Sequence, residues 1–232
     1  MRTVVVVMSK IPQPGFTKTR LMSVLSEREC SDFHRACLAD TCRAIRKSRL
    51  PGYIYYAAES RNVLPADVDE IWGLPTEERA YFEFRPQQGK DLGERLCNAA
   101  REILICYEAV LFLGSDMPQI TSDAILEAEV MLSGSDTVLG PAHDGGYYLL
   151  GIKQVVPNLF EDIPWGTSQV LEKTLEKIIE NKFACSLLRP QADIDTWDDL
   201  KEFFSAGIAD ENSVYRRLTA YRLAAELIQK HG

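Results

Sequence analysis

The chain has 232 residues, a length that one α/β domain with one core routinely fills. With 46% hydrophobic and 26% charged residues its composition is that of an ordinary globular protein, which excludes a disordered or fibrous class. A net charge of -8 and a pI near 5.0 argue against a protein that grips nucleic acid through many phosphate contacts, yet leave room for a small anionic ligand wherever positive charge is local.

The stretch from Thr3 to Met8 (TVVVVM) is β-branched and continuously apolar, as a parallel strand covered on both faces must be. A helical pattern then runs from about Ser26 to Lys47. Gly52 to Ala58 reads as a second strand and Tyr81 to Gln87 as a short third. From Leu92 to Tyr107 the apolar residues Leu92, Leu96, Ala99, Ala100, Ile103 and Cys106 share one helical face. Ala109 to Gly114 is another buried strand, and Thr121 or Ser122 is placed to cap a helix reaching about Leu132. The segments DTVLGPA and GYYLLGI, around HDGG, form a strand pair with a glycine turn. A helix from about Thr167 to Glu180, a strand near Cys185 to Leu188, and helices at about Thr196 to Phe204 and Ser213 to Gln229 complete the chain. This alternation predicts a three-layer α/β/α fold, with a mostly parallel mixed sheet in a single domain spanning residues 1–232.

No apolar run approaches the roughly 20 residues that span a bilayer, and the N-terminus lacks a signal peptide's cleavage site, so a cytoplasmic location is expected, with no membrane partner. The six cysteines form no CxxC pair and fall mostly at apolar helical positions, as buried thiols do.

The unusual sequences follow the strands. Loops at the carboxyl ends of parallel strands are where such sheets bind ligands. After the first strand, KIPQPGFTKTRL resembles a phosphate-binding P-loop without its second glycine, and Pro12 and Pro14 remove amides that such a cradle uses. It still gathers Lys10, Lys18 and Arg20 beside Gly15, so the loop is either a phosphate clamp or a solvated basic turn. Asp116, in GSDMP after the fourth strand, is placed either to ligate a hard cation such as Mg²⁺ or to cap a turn. In ADIDTWDDL, Asp193 and Asp195 stand at another strand end before Thr196, a helix cap. The same letters occur in phosphatases that form an aspartyl-phosphate, but those carry them after their first strand, not near the end of the chain. Three histidines are too few for an HD-type phosphohydrolase at His143 and Asp144. The glycines after Asp144 permit a tight hairpin or close backbone approach to a ligand, with Asp144 free to accept bonds from sugar hydroxyls. Trp165 is either a stacking surface or core, and Thr167 a cap for a helix N-terminus that could receive an anion.

In order, KIPQPGFTKTRL, QQGKDLGERL, LGSDMP, LGPAHDGGYYLLG, IPWGTSQV and DIDTWDDL resemble a family of small bacterial proteins with a glycosyltransferase A fold. These are described as nucleotide-diphospho-sugar transferases, some linked to arsenosugar biosynthesis, and are distantly similar to the nucleotidyltransferases for phospholactate, molybdopterin and sugar phosphates. The resemblance spans roughly Val4 to Leu200. It implies that Gly15, Lys18 and Arg20 meet the nucleotide phosphates and that Gln88 and Gly89 lie near the base. It further implies that Asp116 and Asp195 hold Mg²⁺ or Mn²⁺, while Asp144, Gly145, Trp165 and Thr167 face the second substrate, with Lys18 and Asp144 as the catalytic groups. The usual Asp-x-Asp of metal-dependent glycosyltransferases is absent from GSDMP, so Asp195 must supply the second carboxylate, as in the nucleotidyltransferase branch. Glycosyl transfer from a nucleotide-sugar to a small acceptor, nucleotidyl transfer from a nucleoside triphosphate to a phosphorylated small molecule, and a non-catalytic nucleotide-binding module all stay open.

Overall fold

A computed structural model of the protein describes residues 1–57, 72–209 and 214–232. The expected fold class is the observed one: among the described residues seven strands form one sheet in the order β3-β2-β1-β4-β6-β5-β7. They are β1 (Thr3–Lys10), β2 (Gly52–Ala57), β3 (Phe82–Pro86), β4 (Ala109–Gly114), β5 (Thr137–Pro141), β6 (Tyr147–Ile152) and β7 (Cys185–Leu187). All neighbouring pairs are parallel except those of β6, which runs antiparallel to both β4 and β5.

The valine run at the start explains the layering. Successive side chains of a strand leave opposite faces, so Val5 and Val7 pack on one side with Leu38, Ala39 and Cys42 of α1 (Glu27–Ser48) and with Ile125 and Leu132 of the helix after β4. Val4 and Val6 pack on the other side with Leu96, Ala99 and Ile103. Those three belong to the helix after β3. Among the described residues the further helices are, in chain order, α2 (Thr76–Arg79), α3 (Leu92–Ile103), α4 (Ser122–Gly134), α5 (Val170–Glu180), α6 (Trp197–Ala209) and α7 (Thr219–His231). A third apolar cluster lies on the outer side of α1, where Phe33 and Cys37 meet Leu200 and Phe203 of α6 and Tyr221 and Ala224 of α7. Among the described residues, no helix is long and apolar enough to cross a membrane.

Caps set most helix starts. Ser26 and Glu29 form a reciprocal capping box at α1, and Asp91 and Thr121 accept from the backbone of Glu94 and Ala124 at α3 and α4. Four boundaries differ from the sequence pattern by three or more residues, one of them the end of α6, expected at about Phe204 and found at Ala209. The helix expected from Thr167 starts at Val170, because Thr167 donates its hydroxyl to the Pro164 carbonyl and accepts from Gln169 N in a turn whose Gly166 has φ +80°. The helix expected to reach Tyr107 ends at Ile103. The last helix, expected from about Ser213, is a short 3₁₀ turn (Val214–Arg217) followed by α7, with Ser213 outside the described residues. Here Asp40 of α1 caps α7, accepting from Thr219 N at 3.0 Å and Ala220 N at 2.8 Å. Such a cap, contributed by another helix far away in the chain, leaves no local trace.

Candidate functional site

The strand order turns at β1, whose neighbours β2 and β4 are both parallel to it, while α1 and α3 pack on opposite faces of the sheet. Crossovers that part to opposite faces open a crevice at the carboxyl ends of those strands, the preferred ligand position of open α/β sheets. A cavity of about 410 Å³ lies there, lined by Thr17, Lys18 and Arg20 from the loop after β1, Ser115 and Asp116 from the loop after β4, and Asp195 from the loop before α6.

Lys18 is at its centre. Its backbone has φ +51°, the left-handed region that residues with a Cβ rarely occupy, and its side chain is only 2% exposed. The ammonium lies 2.5 Å from Asp116 Oδ1 and 3.5 Å from Asp195 Oδ1, and it donates to the Ile194 carbonyl. Burial alone would favour the neutral amine, but the two carboxylates, Asp116 first, outweigh it and raise the pKa, so Lys18 is a cation. For Asp116 burial likewise opposes the charge, and Lys18 more than offsets it, so its carboxyl is held below the usual range. Arg20 reaches Asp195 from outside, with 3.4 Å between Nη1 and Oδ2.

Asp195 is set by the start of α6. The Asp199 carboxylate accepts from the backbone of Asp195 and Thr196, while Thr196 Oγ1 accepts from Asp199 N. Ile194 N donates to the Asp116 carbonyl, tying the two acid-bearing loops together. Both carboxylates keep an open side, at 45% and 36% exposure. Two carboxylates converging on one cation suit a hard ion such as Mg²⁺ or Mn²⁺ whose remaining ligands are phosphate oxygens and water. Among the described residues no group of three or more His, Cys, Asp or Glu forms a metal site from protein ligands alone.

The other expected residues are more dispersed. Gly15 has φ +84° in the same loop, where a Cβ would meet the Glu27 carboxylate at 3.4 Å. Gln88 and Gly89 lie outside the cavity wall, and their carbonyls accept from Asn98 and Arg95 respectively. Their neighbour Gln87 lines the wall instead, its Nε2 donating to the carbonyls of Ser9 and Tyr55. Asp144 is exposed and accepts from Gly146 N at 2.8 Å. Asp193 is pushed up to about 6 by burial and then by the charges of Asp144 and Asp195. Gly145 lies against the backbone of Ser168. Trp165 makes an edge contact with Tyr147 at 6.3 Å and lines a second cavity of about 670 Å³ with Asp91, Glu94 and Phe160. It abuts Gly93, where a Cβ would stand 2.7 Å from the indole nitrogen. Thr167 spends its hydroxyl on the turn before α5.

Sequence reasoning missed His34, Ser9, Thr17 and Ser115, which form a buried polar cluster under the cavity, and Arg95 on its rim. The three hydroxyl residues adjoin residues of the noted loops, but nothing in the helical pattern of α1 sets His34 apart.

Residues 32–167 match the profile of a family described as "Uncharacterized protein conserved in bacteria (DUF2064)", a span that includes Asp116 and Asp144 but neither Lys18 nor Asp195. No curated protein matches the chain. Among solved structures, a protein of Desulfovibrio desulfuricans G20, provisionally described as a nucleotide-diphospho-sugar transferase, is similar with a TM-score of 0.88 and 29% identity over 99% of this chain and 98% of that one. The inositol-1-phosphate CTP transferase of T. maritima has a TM-score of 0.54 and 13% identity over 100% of this chain and 98% of that one. A Mycobacterium tuberculosis H37Rv protein in complex with manganese has a TM-score of 0.55 and 12% identity over 87% of this chain and 97% of its own. The last two show likeness of fold alone.

Proposed function

The chain belongs to the bacterial family DUF2064, and we propose that it is a metal-dependent transferase that uses an activated nucleotide, moving a glycosyl group from a nucleotide-diphospho-sugar to a small acceptor. One observation carries this reading: a buried lysine stands between two half-open carboxylates at the crevice of the sheet. The similarity to the Desulfovibrio protein supports it. In this reading Asp116 and Asp195 hold a divalent ion, which when bound neutralises charge on the diphosphate leaving group. Lys18 and Arg20 bind the same phosphates and stabilise the charge that builds on them as the sugar departs. Lys18 needs no proton transfer to do so, because it is already a cation. Asp144, exposed on the turn after β5 and close enough to Asp193 for its charge to raise that carboxyl's pKa, accepts the acceptor hydroxyl's proton or orients that hydroxyl.

Nucleotidyl transfer is the second reading, favoured by the origin of the two acids in separate loops, after β4 and before α6, in place of one Asp-x-Asp pair. There a substrate phosphate attacks the α-phosphorus of a nucleoside triphosphate, and Lys18 and Arg20 position the phosphates and stabilise their charge. The products separate the two: incubation with nucleotide-sugars and small acceptors yields a nucleoside diphosphate in the first, whereas nucleoside triphosphates and sugar phosphates yield pyrophosphate in the second. If neither product forms while metal-dependent nucleotide binding persists, the chain is a binding module and the transferase reading falls.

A further inference from the structure

His34 of α1 lies under the cavity, 1% exposed, with a hydroxyl at each ring nitrogen. Its Nδ1 is 2.6 Å from Thr17 Oγ1, and its Nε2 is 3.0 Å from Ser115 Oγ and 3.2 Å from Ser9 Oγ. Ser9 donates its one hydroxyl proton to the Lys10 carbonyl at 2.8 Å, so its oxygen can only accept from the ring. That places the imidazole proton on Nε2 and leaves Nδ1 to accept from Thr17. Burial, and then the cations of Lys18, Lys10 and Arg35 against the opposing pull of Asp116, hold the ring's pKa down at about 4, so it is neutral at physiological pH.

Two of these hydroxyls sit one residue before the pair at the centre of the site: Thr17 precedes Lys18, and Ser115 precedes Asp116. Lys18 occupies a backbone region that residues with a Cβ hold only when the surroundings impose it. A histidine that merely filled the core would not need to grip the loops of β1 and β4 immediately beside the residues that meet over the cavity.

We propose that His34 is a positioning residue: through Thr17 and Ser115 it fixes the Lys18 loop and the Asp116 loop at the separation that a metal-bound diphosphate requires, while touching no substrate itself. The inference rests on the phosphate-binding reading of Lys18 given above.

Amide replacements separate the two halves of the hub. The amide of His34→Asn falls near the Nδ1 position and can still hold Thr17, whereas that of His34→Gln falls near the Nε2 position and releases it. Thr17→Val removes the same bond without changing side-chain shape, and keeps the measurement open if the histidine variants do not fold. The probe is inorganic pyrophosphate, titrated calorimetrically with and without Mg²⁺, beside a melting curve for each protein. Thr17→Val and His34→Gln should weaken pyrophosphate binding about tenfold, the loss expected when a buried bond is broken and its partner stranded, and His34→Asn should recover most of it. Ser115→Ala should weaken binding only when Mg²⁺ is present, since it frees the Asp116 side. A purely structural histidine predicts lower melting temperatures with pyrophosphate affinity unchanged in the folded variants, and that result overturns the proposal while leaving the phosphate site intact. Absence of pyrophosphate binding by the wild type overturns the phosphate site, and this inference with it.

Discussion

Lys18 and Asp116 meet over the crevice between β1 and β4 with 2.5 Å between ammonium and carboxylate, and Asp195 completes the contact from the other side at 3.5 Å. Without ligand, the lysine that would bind phosphate neutralises the acids that would bind metal. Lys18→Ala should therefore act in opposite directions on the two ligands. Pyrophosphate binding should weaken at least about tenfold, the cost of one buried charge-assisted bond. Free Mn²⁺, followed by the loss of its electron paramagnetic resonance signal, should bind more tightly by roughly tenfold, because two carboxylates lose their internal cation. Equal weakening of both ligands would show that Lys18 supports the site only as packing.

The two acids should not be interchangeable in stability. Asp116→Asn leaves a buried ammonium with Asp195 as its remaining acidic partner, whereas Asp195→Asn leaves the closer Asp116 in place. After discounting for the exposure of the Asp116 carboxylate, the first change should cost about 1–2 kcal/mol and the second less than about 1 kcal/mol. Both should abolish the additional rise in melting temperature that Mg²⁺ or Mn²⁺ gives in the presence of nucleoside triphosphates or nucleotide-sugars. A metal-dependent shift that survives Asp116→Asn removes that residue from the proposed metal pair.

Much of this architecture could be read locally. Continuous apolar runs marked β1 and β4, and hydroxyl side chains before helical segments marked the starts of α4 and α6. Strand ends also drew attention to Lys18, Asp116 and Asp195, but each alone fits a solvated turn or a cap, and only the order of motifs shared with the resembled family joined them into one site. What stayed hidden depends on contacts distant in sequence. The cap of α7 comes from Asp40 in α1, the imidazole under the cavity from the middle of a long helix, and the choice between Gln87 and Gln88 from the backbone geometry just beyond β3. Thr167 looked like a helix cap because capping and turn formation use the same hydroxyl chemistry, and Pro164 decided between them.

His34 gives the fold a specific acid sensitivity. Its folded pKa of about 4 lies below the ordinary value of 6.5, so as pH falls the unfolded chain takes up this proton before the native one does. The stability it contributes is complete above pH 6.5 and is lost as pH falls through about 4, a loss on the order of 3 kcal/mol. Asp193 works in the opposite sense between about 6 and 3.8, since its native carboxyl is the more easily protonated. Both proteins of a wild-type and His34→Gln pair carry Asp193, so their difference isolates the imidazole. Urea midpoints at pH 7.5, 5.5 and 4.5 should fall less steeply in the variant, and parallel curves would mean that His34 titrates normally.

The turn between β5 and β6 offers a test of how the segments around Asp144 and Trp165 are joined. Gly145 and Gly166 both have left-handed backbones, with φ of +89° and +80°. An added Cβ would meet different surroundings at each: at Gly145 it would stand 2.2 Å from the Ser168 carbonyl oxygen, and at Gly166 it would meet nothing within 4 Å. Gly145 also accepts from Leu171 N through its own carbonyl at 2.9 Å, so the turn cannot retreat without loosening the first turn of α5. Gly166→Ala should therefore cost only the conformational penalty, about 1 kcal/mol. Gly145→Ala should add an overpacking cost, for a total of about 2–4 kcal/mol. At this chain length that separates their melting temperatures by roughly 3–10 °C. Equal losses would mean that the two segments are not in contact in solution, and that Asp144 is placed by its own hairpin alone.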